Sequence, residues 1–318
     1  MTVFRWDRGQ GRLARQGAML SDLEFYLEDG RVIRPLHTAP WLGKDLPAAT
    51  PPILKHLQGE WPCVPFGMTP SSPPGSELSH SQAPQCEWPH GYGANHGWTI
   101  TQNQPDGAEA QIYYPFNDAV KRLSRWVKGV PLSPGVDIGL QIEMRKEANL
   151  PIGLHPVLRL PEVPGQARLV LGAYDQAYSY PGDTGGTPVS TDPAPFRIAD
   201  RMLQLPYETP SETILLLSGA EGHATLENLT EAYKVRVDWD AAVFPSLMLW
   251  ISNRGRTGPP WNGRHLALGV EPVCSAFDFG SAISAAHNPL NRAGIRTATR
   301  LVPECSFSTR YRISVETL

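Results

Sequence analysis

Little of this 318-residue chain is charged, and the charge it has nearly cancels. Lys and Arg number 28 against 31 Asp and Glu, a formal charge of −3 with a pI near 6.3. With no basic surplus to meet a phosphate backbone, nucleic acid is not an expected partner. Cysteine is scarce too. Cys63, Cys86, Cys274 and Cys305 are too few and too scattered for a disulfide framework, and none forms a CxxC pair, so buried free thiols are expected. Long hydrophobic runs are missing. The densest, Ala241 to Ile251, is interrupted by Pro245 and Ser246 and falls short of the roughly 20 residues of a membrane helix. The opening MTVFRWDRGQGRLARQ carries charge where a secretory signal would carry an apolar segment, which makes the cytoplasm the expected location.

What the chain does have is turn residues, 29 Gly and 32 Pro, alongside 41% hydrophobic residues. This is the composition of many short strands joined by turns, and too apolar for disorder. Alternation supplies the strands. Val136, Ile138, Leu140, Ile142 and Met144 alternate with polar or small neighbours; Tyr233, Val235, Val237 and Trp239 do the same, as do Phe307, Thr309, Tyr311, Ile313 and Val315. Leu23, Phe25 and Leu27 run into Asp29-Gly30 and out through Val32 and Ile33, a hairpin signature. Further strands are expected at 97–102, 109–114, 152–160, 167–175, 213–218, 246–252 and 265–271. Residues 116–127 fit either period, with strand preferred. Two Pro/Gly/Ser-rich stretches, 62–90 and 181–195, read as long loops over one β body, since composition does not change across them. The expectation from these patterns is one large all-β body over 1–318, built of antiparallel strands as a sandwich or a barrel.

Several patterns could carry chemistry. The stretch CEWPHGYGANHGW, 86–98, sets His90 and His96 among glycines and aromatics with His80 upstream, but its spacing matches no usual zinc site, and a metal reading is the weaker one. Asp183-Thr184-Gly185 has the spelling of an aspartic protease triplet without the second copy that chemistry needs, and reads as a turn. In IGLHPVLRLP, 152–161, Leu154, Leu158 and Leu160 share one face and His155, Val157 and Arg159 the other. In HLALGVEPV, 265–273, Leu266, Leu268 and Val270 oppose His265, Gly269 and Glu271. Glu271 stands among Gly269, Val270, Pro272 and Val273, surroundings that raise a carboxyl towards base chemistry at neutral pH. Upstream, WISNRGRTGPPWNGR, 250–264, gathers Trp250, Asn253, Arg254, Trp261, Asn262 and Arg264. Rings beside amide and guanidinium donors suit a sugar, whose C–H face stacks and whose hydroxyls take hydrogen bonds; a structural loop anchored by tryptophan fits the composition equally.

Four segments in order, VPFG at 64–67, HGYGANHGW at 90–98, GLHPVLRLP at 153–161 and LGVEP at 268–272 behind LWISNRG at 249–255, resemble the aldose 1-epimerases, or galactose mutarotase-like proteins. Pro303 and Glu304 before the last strand are similar to that family's closing segment. The resemblance covers about 55–318, with 1–54 expected as N-terminal strands of the same body. It implies a mutarotase-like sandwich with a sugar cleft on one concave sheet, His155 as general acid, Glu271 as general base, His90 as a second substrate-contacting histidine, and no metal or organic cofactor. Candidate substrate contacts are His90, Trp98, Arg159, Trp250, Trp261, Asn262 and Arg264. The pattern departs from the family in three places. Met68 stands where an arginine follows VPFG, leaving Arg159, Arg254 or Arg264 to compensate; Pro156 follows His155; and the substrate-binding aspartate is open among Asp175, Asp183 and Asp192. The activity implied is anomer interconversion of a free sugar by a monomer or homodimer. A sugar-binding or regulatory protein on the same fold, or another carbohydrate enzyme, are the competing readings.

Overall fold

Alternating side chains commit most of the chain to strands, and antiparallel pairing gathers those strands into two large sheets. The computed structural model describes residues 1–68, 88–181 and 193–318. His80, Cys86, Asp183, Thr184, Gly185 and Asp192 lie outside them. The larger sheet has nine strands, in the order Gln204–Leu205, Ala167–Leu171, His223–Asn228, Tyr233–Trp239, Phe307–Thr317, Gly135–Met144, Val120–Gly129, Gly107–Tyr113 and Thr99–Gln104. The eight-stranded sheet runs Pro195–Phe196, Gln176–Ser179, Ser211–Ser218, Ser246–Asn253, Leu266–Cys274, Ile152–Leu154 and Pro62–Cys63, and Val157–Arg159 also pairs with Leu266–Cys274. A four-stranded meander, Thr2–Trp6, Gly9–Leu13, Leu20–Tyr26 and Val32–Ile33, forms the N-terminus. Ala148–Leu150 pairs with Thr299–Leu301 in a short ribbon. The architecture is the expected mostly β sandwich.

The leucine faces read from the sequence meet between the sheets. Ile138, Leu140 and Ile142 from the larger sheet share one buried cluster with Leu154, Leu158, Leu268 and Val270 from the other, and Phe4, Leu13 and Phe25 of the meander join it. Each such side chain contributes roughly 1.5–3 kcal/mol by leaving water. The opposite face of the eight-stranded sheet carries a second cluster, in which Val157, Ile214, Met248 and Trp250 pack with Trp41 and Trp61. One buried charge pair joins the layers: Arg125 of the larger sheet meets Glu60, which also accepts from the Tyr311 hydroxyl, and Arg125 donates to Ala18 O at 2.8 Å. Among the described residues, no helix is long and apolar enough to cross a membrane.

Several expectations change. The single strand expected at 152–160 is two, Ile152–Leu154 and Val157–Arg159, because Pro156 has no N–H to give the ladder. The ambiguous 116–127 segment belongs to the Val120–Gly129 strand from Val120 onward. The stretch 62–90 is no simple loop, since Pro62–Cys63 pairs with Ile152–Leu154 and so forms the edge of the site sheet. Cys63 and Cys274 are buried free thiols as expected, but Cys305, in the turn before the last strand, is exposed.

Candidate active site

Strand register assembles the site. Gly153 pairs with Val273 and Val157 with Gly269, so continuing the register between them sets His155 opposite Glu271. Directly opposed residues of an antiparallel pair project to the same face. The neighbouring strands add to that face in step: Met248 pairs with Glu271, Trp250 with Gly269, and Ile214 with Trp250. On the other side the His155 N–H donates to Trp61 O at 3.0 Å. The Trp61 indole stacks on the His155 ring with centroids 4.2 Å apart. The result is a pocket of about 260 Å³ on the outer face of the eight-stranded sheet. That is the scale of one small molecule.

Its floor holds an imidazole and a carboxylate with little else to bind. His155 Nε2 lies 3.5 Å from Glu271 Oε1, and both side chains are almost wholly buried. Neither Glu271 oxygen nor His155 Nδ1 has a hydrogen-bond partner among the described residues. Buried polar atoms are nearly always paired, and orphans gathered in one pocket point to a ligand that completes them. Burial holds the Glu271 carboxyl well above the usual carboxylate range, and the Asp278 charge adds to it. Burial likewise holds His155 well below the usual imidazole range, assisted by His90. Both groups therefore favour their neutral forms.

His90 arrives from a different element. Gly91, with φ +86°, brings the start of the short Gly91–Asn95 helix against Val64 so closely that a Cβ would lie 2.1 Å from Val64 O. His90 itself takes a left-handed backbone (φ 58°), held by its N–H donating to Gly67 O at 2.6 Å. Such a conformation costs an L-residue about 1–2 kcal/mol and is worth relating to function where it positions a side chain. Here it places the His90 ring 4.9 Å from that of His155, edge to face, with an unpartnered Nδ1. Burial pushes His90 down to about 4. Asn95 ties the helix in place, donating to Pro89 O and Gly91 O and accepting from the Ile53 N–H.

Of the residues singled out in the sequence, His155, Glu271, His90, Trp250 and Trp261 line this pocket together. Four do not. Trp98 is fully buried in the core between the sheets, its indole donating to Gly93 O at 2.8 Å, so it braces the glycine-rich turn. Arg159 pairs with Glu231 at 2.7 Å and lines a separate surface groove together with Arg264. Asn262 is exposed at a positive φ in the loop turn. Arg254 is engaged by Glu162, and Asp175 is exposed at a sheet end.

Arg256 and Asp278 enter the pocket instead. The Arg256 guanidinium lies over both Trp261 and Trp250, 4.6 and 5.4 Å from their centroids, and its Nε is 3.5 Å from Glu212. Glu212 in turn accepts from Trp250 Nε1 at 3.0 Å and from Ser252 Oγ at 2.7 Å. Asp278 accepts from the Tyr180 hydroxyl at 2.7 Å, while its own backbone carbonyl takes the Met68 N–H. Arg256 sits inside the 250–264 loop that the sequence marked, two residues from Arg254; nothing in the spacing distinguishes which loop arginine turns inward. Asp278 had no sequence signal, because its approach depends on the chain at 64–68 packing back on 278–280.

The fold is a two-sheet antiparallel sandwich with a buried His–Glu pair in a pocket on one outer face. No family model matches the sequence, and no curated protein matches it. Solved structures do. A galactose mutarotase-like protein from Clostridium acetobutylicum superposes with a TM-score of 0.68 at 14% identity, covering 99% of this chain and 95% of that one. One from Lactobacillus casei gives 0.62 at 14%, covering 99% and 100%. An Escherichia coli K12 protein provisionally named an aldose 1-epimerase gives 0.68 at 14%, covering 100% and 99%. This chain has the galactose mutarotase-like fold.

Proposed function

We propose that the protein is an aldose 1-epimerase, which interconverts the α and β anomers of a free sugar by opening and reclosing its ring. The observation that carries this is the facing pair His155 and Glu271, buried, 3.5 Å apart and otherwise without partners. Ring opening needs one proton removed and one supplied. Glu271 accepts the proton of the C1 hydroxyl, the electrons of that O–H bond form the C1 carbonyl, the bond from C1 to the ring oxygen breaks, and His155 protonates the departing oxygen. Rotation about C1–C2 turns the other aldehyde face to the ring hydroxyl, and closure runs the transfers backwards. The pair holds one mobile proton throughout. After opening it is neutral imidazole and carboxylic acid, the arrangement that burial favours; before opening it is the ion pair, one proton shift away. Trp61, Trp250 and Trp261 offer faces for stacking, and His90 and Arg256 offer hydrogen bonds to hydroxyls.

Saturation-transfer NMR of anomer exchange over a panel of aldoses tests the reading. Exchange above the buffer rate is expected for at least one sugar, with Glu271→Gln lowering it by about 10²–10⁴-fold while the thermal midpoint is kept. Undiminished exchange in that variant would remove Glu271 from the mechanism.

A further inference from the structure

The pocket is unevenly polar. His155 and Glu271 serve the anomeric centre and His90 stands beside them; beyond these three the described lining adds indole N–H groups, that of Trp61 with no hydrogen-bond partner among the described residues, and two charged side chains, Arg256 and Asp278. Both are partly committed, Arg256 by its Nε to Glu212 and Asp278 to the Tyr180 hydroxyl. The remaining walls, apart from indole, are hydrocarbon and thioether. Ile53, Leu54 and Leu57 form one side, Ile214 and Met248 part of the floor, and Met68 a further edge. The first three belong to the short Pro52–Lys55 helix and the turn after it, mostly outside the stretch that resembles the epimerases.

A fully hydroxylated hexose carries hydroxyls around its whole rim. Each one pressed against such a wall gives up water and finds no partner. A hydrogen or methyl group in that place loses nothing and gains contact. The described lining residues offer an anionic sugar no net positive charge either, because the Arg256 guanidinium is flanked by Glu212 and Asp278. We infer that the site selects deoxygenated aldoses, sugars whose rim remote from C1 presents hydrogen or methyl in place of hydroxyl. This rests on the pocket being a sugar site, as proposed above.

Matched pairs differing by one hydroxyl test it: D-galactose with D-fucose, D-glucose with D-quinovose, and L-mannose with L-rhamnose. Anomer exchange and ligand-observed NMR binding are read on the full chain. The deoxy member of at least one pair is expected to be preferred by about 10- to 100-fold. Leu54→Gln, at a half-buried position, is expected to shrink that ratio several-fold by offering the missing hydroxyl a partner. Parent sugars equal to or better than their deoxy partners in every pair would overturn the inference and leave the epimerase reading standing. No exchange with any sugar, alongside tighter binding of the deoxy members, would overturn the epimerase reading and keep this one. No binding of any member would overturn both.

Discussion

Glu212 holds two walls of the pocket with one carboxylate. It accepts from the Trp250 indole and faces the Arg256 guanidinium, which lies across Trp250 and Trp261. It touches neither His155 nor Glu271 by any hydrogen bond or ion pair described above, so its work is positioning. Glu212→Gln keeps the size and a donor–acceptor end but removes the charge that fixes Arg256. We expect KM to rise about tenfold and kcat to stay within about threefold, the signature of lost uniform binding. Steady-state exchange rates against sugar concentration check this, and a kcat loss as large as that of Glu271→Gln would place Glu212 in the chemistry instead. At this scale His155, Glu271, Trp250 and Trp261 were legible because alternation or local composition set them apart, and His90 through the family resemblance. Arg256 and Asp278 were not, because their entry into the pocket depends on how two loops fold back, which no periodicity encodes. Trp98 looked like a ligand contact for the opposite reason: an aromatic in a glycine-rich turn has the same composition whether it braces the turn or stacks on a sugar.

The strand Leu266–Cys274 needs a residue with no side chain beside its glutamate. A Cβ built on Gly269 would lie 2.3 Å from Glu271 Oε1 and 3.1 Å from the Trp250 Cβ. Gly269→Ala must therefore push the carboxylate or the indole aside. A loss of about 1–3 kcal/mol in denaturant stability is expected, with exchange activity falling further than stability accounts for. Gly97, where a Cβ meets nothing within 4 Å, is the control, and Gly97→Ala should change neither by much. Strands were the most readable elements, since period two marks them wherever one face is buried. The break at Pro156, the paired strand Pro62–Cys63 and the helix Pro52–Lys55 were not readable. The strand and the helix are too short for a period to show and are fixed by contacts far away in sequence, Pro62–Cys63 by Ile152–Leu154 and the helix by Asn95, while the break comes from Pro156 inside a run whose alternation continues across it.

Across the described residues four histidines are buried, His37, His90, His155 and His265. Burial lowers His37 and His90 to about 4 and His265 to about 2, and holds His155 well below the usual range. Above pH 6.5 these groups are neutral in the unfolded chain as well, so the stability they permit is fully present. As pH falls from 6.5 towards 4 the unfolded chain takes up protons that the fold excludes, and stability is lost. The Glu271, Asp278 and Glu212 carboxyls, which burial raises, run the other way and offset part of this. Denaturant midpoints should accordingly drop between pH 6.5 and 5, with net proton uptake on unfolding. His37→Phe should flatten that slope by about one proton; an unchanged slope would mean that His37 is charged in the fold. The all-β class was legible at this scale from strands and turn residues and the sandwich from the family resemblance, while the order of strands within each sheet was not, because it is settled by long-range pairing. The pairing has one more consequence. Along Leu266–Cys274 the leucine side faces the core and the Glu271 side faces the pocket, so the strand is read in a frame of two. Deleting one residue between Leu266 and Glu271 would act like a frameshift in space, turning the carboxylate into the hydrocarbon between the sheets and a core aliphatic out to the ligand. Lineages that share this architecture are therefore free to change length in their loops and confined to substitution in their strands.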